Sequence, residues 1–124
     1  MATVLVVDDD PLVLKMLVLI LKREGFSVLA AGGGLEAMLE WMSHRGEIDL
    51  LISDVEMPEI NGPTLASLLL AENPALAVLF ISGYPDSAQL NGCQRFELLL
   101  KPFSCSTLLT KVRQLAGNGL RTAQ

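Results

Sequence analysis

Short apolar runs recur along this chain, each followed by a stretch of helical character, and that alternation most limits what it can fold into. The runs lie at residues 3–7, 27–31, 49–53, 77–81 and 97–100, and the helical stretches at 11–24, 35–44, 63–72, 86–90 and 104–116. A run apolar at nearly every position reads as a strand buried on both faces. Five such βα units in series imply a parallel sheet covered by helices on both sides. The breakers fall where this arrangement needs them: Gly25 after the first helix, Gly32-Gly33-Gly34 after the second strand, and Asn73-Pro74 after the third helix. Asp10-Pro11 supplies an N-cap and a first-turn proline for the first helix.

Composition narrows the class. With 124 residues, 51% of them hydrophobic and 19% charged, the chain is long and apolar enough for one globular domain. We place that domain at residues 1–116 and read 117–124 as a polar tail or linker stub. A net charge of −5 and the lack of a basic stripe argue against direct nucleic-acid binding. Cys93 and Cys105 fit no metal-ligand spacing and read as reduced thiols in a cytoplasmic setting. Met1-Ala2-Thr3 runs straight into a strand, so no signal peptide is expected. The longest apolar stretch, residues 75–81, is too short to span a bilayer, so no membrane contact by this domain is expected.

The chemistry gathers where strands end. Asp8-Asp9-Asp10 follow Val4-Leu5-Val6-Val7, Asp54 follows Leu50-Leu51-Ile52-Ser53, and Lys101 follows Leu98-Leu99-Leu100. Open α/β sheets bind their ligands at the carboxyl ends of strands. Acids packed there are costly unless a cation joins them, and Mg²⁺ favours carboxylates together with waters and phosphate oxygens. A carboxylate can attack a phosphoryl group, and such transfer needs in-line positioning and charge neutralisation more than covalent help. Ser82-Gly83 offers a hydroxyl beside room for a donor, and Lys101 a point charge. Asp10 reads as the helix cap. His44 reads as capping or solvated rather than catalytic, and Met16, Met38, Met42 and Met57 as core and loop packing.

In this order, on these strand ends, the residues resemble a response-regulator receiver domain, the phospho-acceptor module of two-component signalling, over residues 3–116. The resemblance implies a flavodoxin-like, doubly wound parallel sheet of order 2-1-3-4-5. It implies that Asp54 is the phospho-acceptor and that Mg²⁺ (or Mn²⁺) is held by Asp8, Asp9, Asp54 and the backbone carbonyl of Glu56. Ser82 matches the hydroxyl that contacts the phosphoryl group, Lys101 the family's lysine, and Lys101-Pro102 a bond that is usually cis. Such a module catalyses only its own phosphorylation and dephosphorylation. Its partner is a histidine kinase or a histidine phosphotransfer protein, which commonly docks on the first helix. At 100° per residue that helix turns Val13, Leu17 and Ile20 inward and leaves Leu12, Val18 and Leu19 beside Lys15 and Lys22 as the expected contact.

Two features depart from the pattern. Leu98 stands where many receivers have a switch aromatic, and Tyr84 lies at a different position. Ser82-Gly83-Tyr84 with Leu100-Lys101-Pro102-Phe103 is similar to receivers attached to hybrid sensor histidine kinases.

Two other classes compete. A small phosphatase of the haloacid-dehalogenase type would use Asp8 as nucleophile, with Asp10, Ser82 and Lys101 mimicking its motifs. It would want further acids after the lysine, and residues 102–124 contain no Asp or Glu. A pseudo-receiver would bind a partner without being phosphorylated, yet every acceptor-site residue type is present.

Overall fold

The structure, a computed structural model, describes residues 2–83 and 96–123. In chain order the elements are β1 (Thr3–Val7), α1 (Pro11–Arg23), β2 (Ser27–Ala31), α2 (Gly34–Ser43), β3 (Leu50–Asp54), α3 (Gly62–Glu72), β4 (Ala77–Ser82), β5 (Glu97–Leu100) and α4 (Cys105–Ala123). The strands pair in parallel in the order β2-β1-β3-β4-β5, the topology expected from the sequence.

Alternation along the strands builds two cores. Leu5, Val7 and Leu51 face one side, where Ala37 and Trp41 of α2 and Leu65 and Leu69 of α3 cover them. Val4, Val6, Leu50 and Ile52 face the other, against Leu17 and Leu21 of α1 and Leu108 and Val112 of α4. Each fully buried Leu, Ile or Val contributes about 1.5–3 kcal/mol by leaving water. The central strands are therefore fixed from both faces.

Local signals position α1. The Asp10 carboxylate accepts the Leu12 N–H at 2.9 Å, and Pro11 opens the helix. Gly25, at φ 91°, closes it with two hydrogen bonds: its own N–H to the Lys22 carbonyl at 3.0 Å and the Phe26 N–H to the Leu21 carbonyl at 3.2 Å. Leu21 and Phe26 belong to the same core, completing that cap with an apolar contact.

Several boundaries move. β3 takes in Asp54 and β4 takes in Ser82, because Asp54 pairs with Ile81 and Ser82 with Leu100 across the sheet. The last helix begins at Cys105, capped by the Ser104 hydroxyl, which accepts the Thr107 N–H at 3.1 Å. Its backbone is helical to Ala123, through the stretch expected to be a tail, since no proline interrupts it and each added residue adds a hydrogen bond. The brief helix expected at 86–90, along with Tyr84 and Cys93, lies outside the described residues.

Two packing expectations need correcting. Val18 is only half-exposed, while Met16, expected in packing, is 41% exposed and joins Leu12 and Leu19. The buried arc of α1 is centred on Leu17 and Leu21, which turns Val18 partly under and Met16 out. Met42 is likewise exposed rather than packed, opposite the face that buries Ala37 and Trp41.

Candidate functional site

Four parallel strands deliver the sequence-predicted residues to one edge of the sheet. Asp8 and Asp9 follow β1, Asp54 ends β3, Ser82 ends β4, and Lys101 follows β5. The Lys101 N–H donates to the Ser82 carbonyl at 2.8 Å, which ties the last two strand ends together. The Lys101–Pro102 peptide bond is cis, as expected.

One carboxylate oxygen each from Asp8, Asp9 and Asp54 lies within 4.8 Å of the others. Asp8 is buried, Asp9 exposed, and Asp54 intermediate, so the cluster opens to solvent on the Asp9 side. Two such charges at 4.8 Å repel by about 3 kcal/mol at an effective dielectric near 20. Lys101 is the cation that answers them: its Nζ lies 3.3 Å from Asp54 Oδ2 and 3.9 Å from Asp8 Oδ2. Burial pushes the Asp8 carboxyl above the ordinary carboxylate range, and the nearby Asp54 and Asp9 charges add to this. The Asp10 N–H, which donates to Asp8 Oδ1 at 2.9 Å, and Lys101 pull the other way.

Asp8 Oδ2 is buried and has no hydrogen-bond partner. A buried acceptor left unpaired is costly unless a ligand completes it. Three acids around that orphaned oxygen, facing one lysine, make an all-oxygen donor set suited to a hard divalent cation. The residues present fit such an ion.

Asp54 is held from every direction the site needs. The Glu56 N–H donates to Asp54 Oδ1 at 3.3 Å while Lys101 takes Oδ2, so the carboxylate is clamped between two donors. Its backbone is fixed by Ser53, a residue assigned no role from the sequence, and by Gly62. The fully buried Ser53 hydroxyl donates to the Asp54 carbonyl at 2.9 Å. Gly62 lies so close that a Cβ there would collide with that same carbonyl oxygen, and its N–H donates to the Val55 carbonyl at 2.9 Å. The Asn61-Gly62 pair carried a signal for Gly62; a lone serine inside a strand carries none. The loop between β3 and α3 is further anchored where Ile60 packs against Gly34, at the start of α2.

Leu98 is half-buried against the core that contains Phe80. Among the described residues the ring beside Phe80 is instead Phe96, at a ring-centroid distance of 5.3 Å. His44 caps α2 as expected: its Nδ1 lies 3.1 Å from the Glu40 carbonyl and 3.5 Å from a Glu40 carboxylate oxygen.

The family model of the response regulator receiver domain matches residues 4–113. The chain belongs to this family. It is 38% identical over 117 residues to the sensor kinase CckA of Brucella abortus, a match covering 92% of this chain and 12% of that protein. It thus spans only a small part of the length of that relative. A crystal structure of the receiver domain from hybrid histidine kinase CckA aligns at TM-score 0.80 and 36% identity, covering 92% of this chain and 98% of the other. The response regulator TrrA of Thermotoga maritima, solved in complex with Mg²⁺ and BeF, aligns at TM-score 0.79 and 30% identity, over 93% and 99% of the two chains. As a receiver, the chain is a module of two-component signalling, and receivers take part in exchange with histidine kinases and phosphotransfer proteins. Among the described residues no helix is long and apolar enough to cross a membrane.

Proposed function

We propose that this receiver accepts a phosphoryl group from a phosphohistidine onto Asp54 and catalyses that transfer, and the loss of the group, on itself alone. The observation that carries the reading is the clamped Asp54 carboxylate beside Asp8 and Asp9, whose oxygens lie within 4.8 Å of it. An Asp54 oxygen attacks phosphorus, the P–N bond breaks, and the imidazole leaves with the electron pair, giving an acyl phosphate. Lys101, already against Asp54 Oδ2, follows the charge onto the phosphoryl oxygens, and Ser82 at the end of the neighbouring strand donates to another. Asp8, Asp9, Asp54 and the Glu56 carbonyl would hold Mg²⁺ (or Mn²⁺), which would supply the remaining positive charge. Asp8 is a poorer nucleophile than Asp54: it is 1% exposed and spends Oδ1 on the Asp10 N–H. That supports the receiver chemistry over the phosphatase alternative.

The histidine-bearing partner docks on α1, on Leu12, Met16 and Leu19 together with the half-exposed Val18. A phosphohistidine donor of this kind implies a cytoplasmic setting, and the net charge of −5 supports a protein partner over nucleic acid.

Intact mass after incubation with Mg²⁺ and acetyl phosphate tests the acceptor. The expected result is one added phosphoryl group in the wild type and none in Asp54→Ala or in chelator. Persistent labelling of Asp54→Ala would transfer the nucleophile to another acid.

A further inference from the structure

Asp54 is followed by a loop whose two ends are tied down. The Val55 N–H donates to the Ile81 carbonyl at 3.1 Å, and the Gly62 N–H returns to the Val55 carbonyl at 2.9 Å. Asn61 caps α3 by accepting the Thr64 N–H at 2.8 Å. Between these ties the chain runs Glu56-Met57-Pro58-Glu59-Ile60 and begins with the residue that touches the acceptor. The Glu56 N–H donates to Asp54 Oδ1 at 3.3 Å, and the Glu56 carbonyl is the one proposed above for the metal.

The loop contains a backbone outlier. Among the described residues Glu59 is the one non-glycine residue at positive φ, 68°. The Ile60 N–H donates to the Pro58 carbonyl at 2.8 Å, closing a three-residue turn centred on Glu59. Such a turn is rare and strained for an L side chain, and it persists only where surrounding contacts over-determine it. Glu59 is exposed, so packing of its own side chain does not hold the turn. The holding contact is one residue further on: Ile60 is half-buried against the core of Leu5 and Val7, and it seats on Gly34.

Gly34 makes that seat by having no side chain. It is buried in the first turn of α2 and its φ is not positive, so space rather than conformation is what asks for glycine. A Cβ there would lie 2.6 Å from Ile60 Cβ, 3.1 Å from Ile60 Cγ2 and 3.2 Å from the Ile60 carbonyl oxygen. Neither a Cβ nor a carbonyl oxygen can rotate out of the way, so the Ile60 backbone would have to move. That backbone donates the hydrogen bond that closes the Glu59 turn. Alanine is also the better helix former, so helix propensity gives no reason for glycine at this position.

We infer that Gly34 is a positioning residue for phosphoryl transfer: its bare Cα seats Ile60, the seat holds the strained turn at Glu59, and the turn holds Glu56 against Asp54. Gly34 acts through the loop and not at the reacting atoms. The consequence for phosphoryl transfer rests on the acceptor role proposed above, whereas the hold on Glu56 does not.

The Glu56 amide resonance of the isotopically labelled full chain, recorded in chelator, reads the Asp54 clamp directly. It should move upfield in Gly34→Ala as the hydrogen bond to Asp54 is lost, and likewise in Glu59→Val, whose β-branched side chain does not readily adopt this φ. Both variants should bind Mg²⁺ about tenfold more weakly. Acetyl-phosphate labelling at saturating Mg²⁺ should slow by about tenfold to a hundredfold, as a small misplacement of a reacting group does. Glu59→Gly reaches the same φ freely and should keep the wild-type resonance, affinity and rate. Val112→Ala, which removes part of the opposite core, should lower the unfolding temperature and leave all three unchanged. An unmoved Glu56 amide in Gly34→Ala, a Glu59→Gly variant as slow as Glu59→Val, or Val112→Ala slowing as much as Gly34→Ala would each overturn the inference. The amide needs neither Mg²⁺ nor phosphodonor, so it decides the matter even if the wild type takes no label, a result that would strike only the acceptor reading.

Discussion

The two ends of β3 obey different rules. At its start Leu50, Leu51 and Ile52 are fully buried, paired on both sides and covered on both faces. At its end Asp54 shares a small volume with Asp8 and Asp9, and one buried carboxylate oxygen, on Asp8, has no hydrogen-bond partner. The first end stores stability. The second spends it on holding like charges together, and the rigid lower sheet is what lets the upper edge stay so unfavourable. Substitutions at the buried end of the strands and at the acidic strand ends should therefore differ in sign.

The largest effect belongs to the lower end. Leu51→Ala should lose about 2–5 kcal/mol in denaturant unfolding, through lost burial and the cavity left behind. A loss under about 1 kcal/mol would mean the core is not close-packed there.

Next comes the seam between the ends. Gly62→Ala must displace the Asp54 carbonyl, so it should cost about 1–3 kcal/mol and also slow acetyl-phosphate labelling. Gly33→Ala is the control: nothing lies within 4 Å of its added carbon, so apart from a cost at the N-cap of α2 its labelling should stay near wild type. Equal effects from the two glycines would break the claim that Gly62 positions the acceptor.

At the upper end the sign reverses. Burial raises the Asp8 carboxyl above its ordinary 3.8, so the fold holds that proton more tightly than the unfolded chain does. The contribution is fully present below pH 3.8 and is lost as pH rises through the raised folded value. In chelator at neutral pH, Asp8→Asn should therefore be more stable than wild type, with the advantage vanishing toward acid. Paired pH-stability curves of the two proteins give this difference. A variant less stable than wild type at neutral pH would contradict the reversal.

The smallest stability effect lies on the surface. Leu12→Glu should stay within about 0.5 kcal/mol of wild type, since the side chain is 78% exposed. Phosphotransfer from a histidine-bearing partner should fall while labelling by acetyl phosphate holds. Parallel loss of both would place Leu12 in the fold rather than in docking.

What the sequence made legible follows the same division. Strand order and the strand-end residues were readable because buried parallel strands are apolar throughout and the acids interrupt them abruptly. Asp8, Asp54 and Lys101 arrive together at the edge where the spacing placed them. Ser53 was not readable: its role lies in a contact with the next residue's carbonyl, and a buried serine looks like any other. The surface of α1 was half readable. A helical wheel assigns angles but not the tilt of a helix on its sheet, which is why Val18 turned under and Met16 turned out. The exchange of Leu98 for an aromatic was visible, whereas the pairing of Phe96 with Phe80 needed the register of β5 on β4.

The most direct measurement is the unfolding free energy across a Mg²⁺ titration of the wild type beside Asp9→Asn. If the strand-end acids form a cation site, wild-type stability climbs with the logarithm of Mg²⁺ once the dissociation constant is passed, by about 2.7 kcal/mol at a hundredfold excess over it. Asp9→Asn should begin more stable and respond far less. A wild-type stability that Mg²⁺ leaves unchanged would contradict the account, because the acids would then be held together for no bound charge.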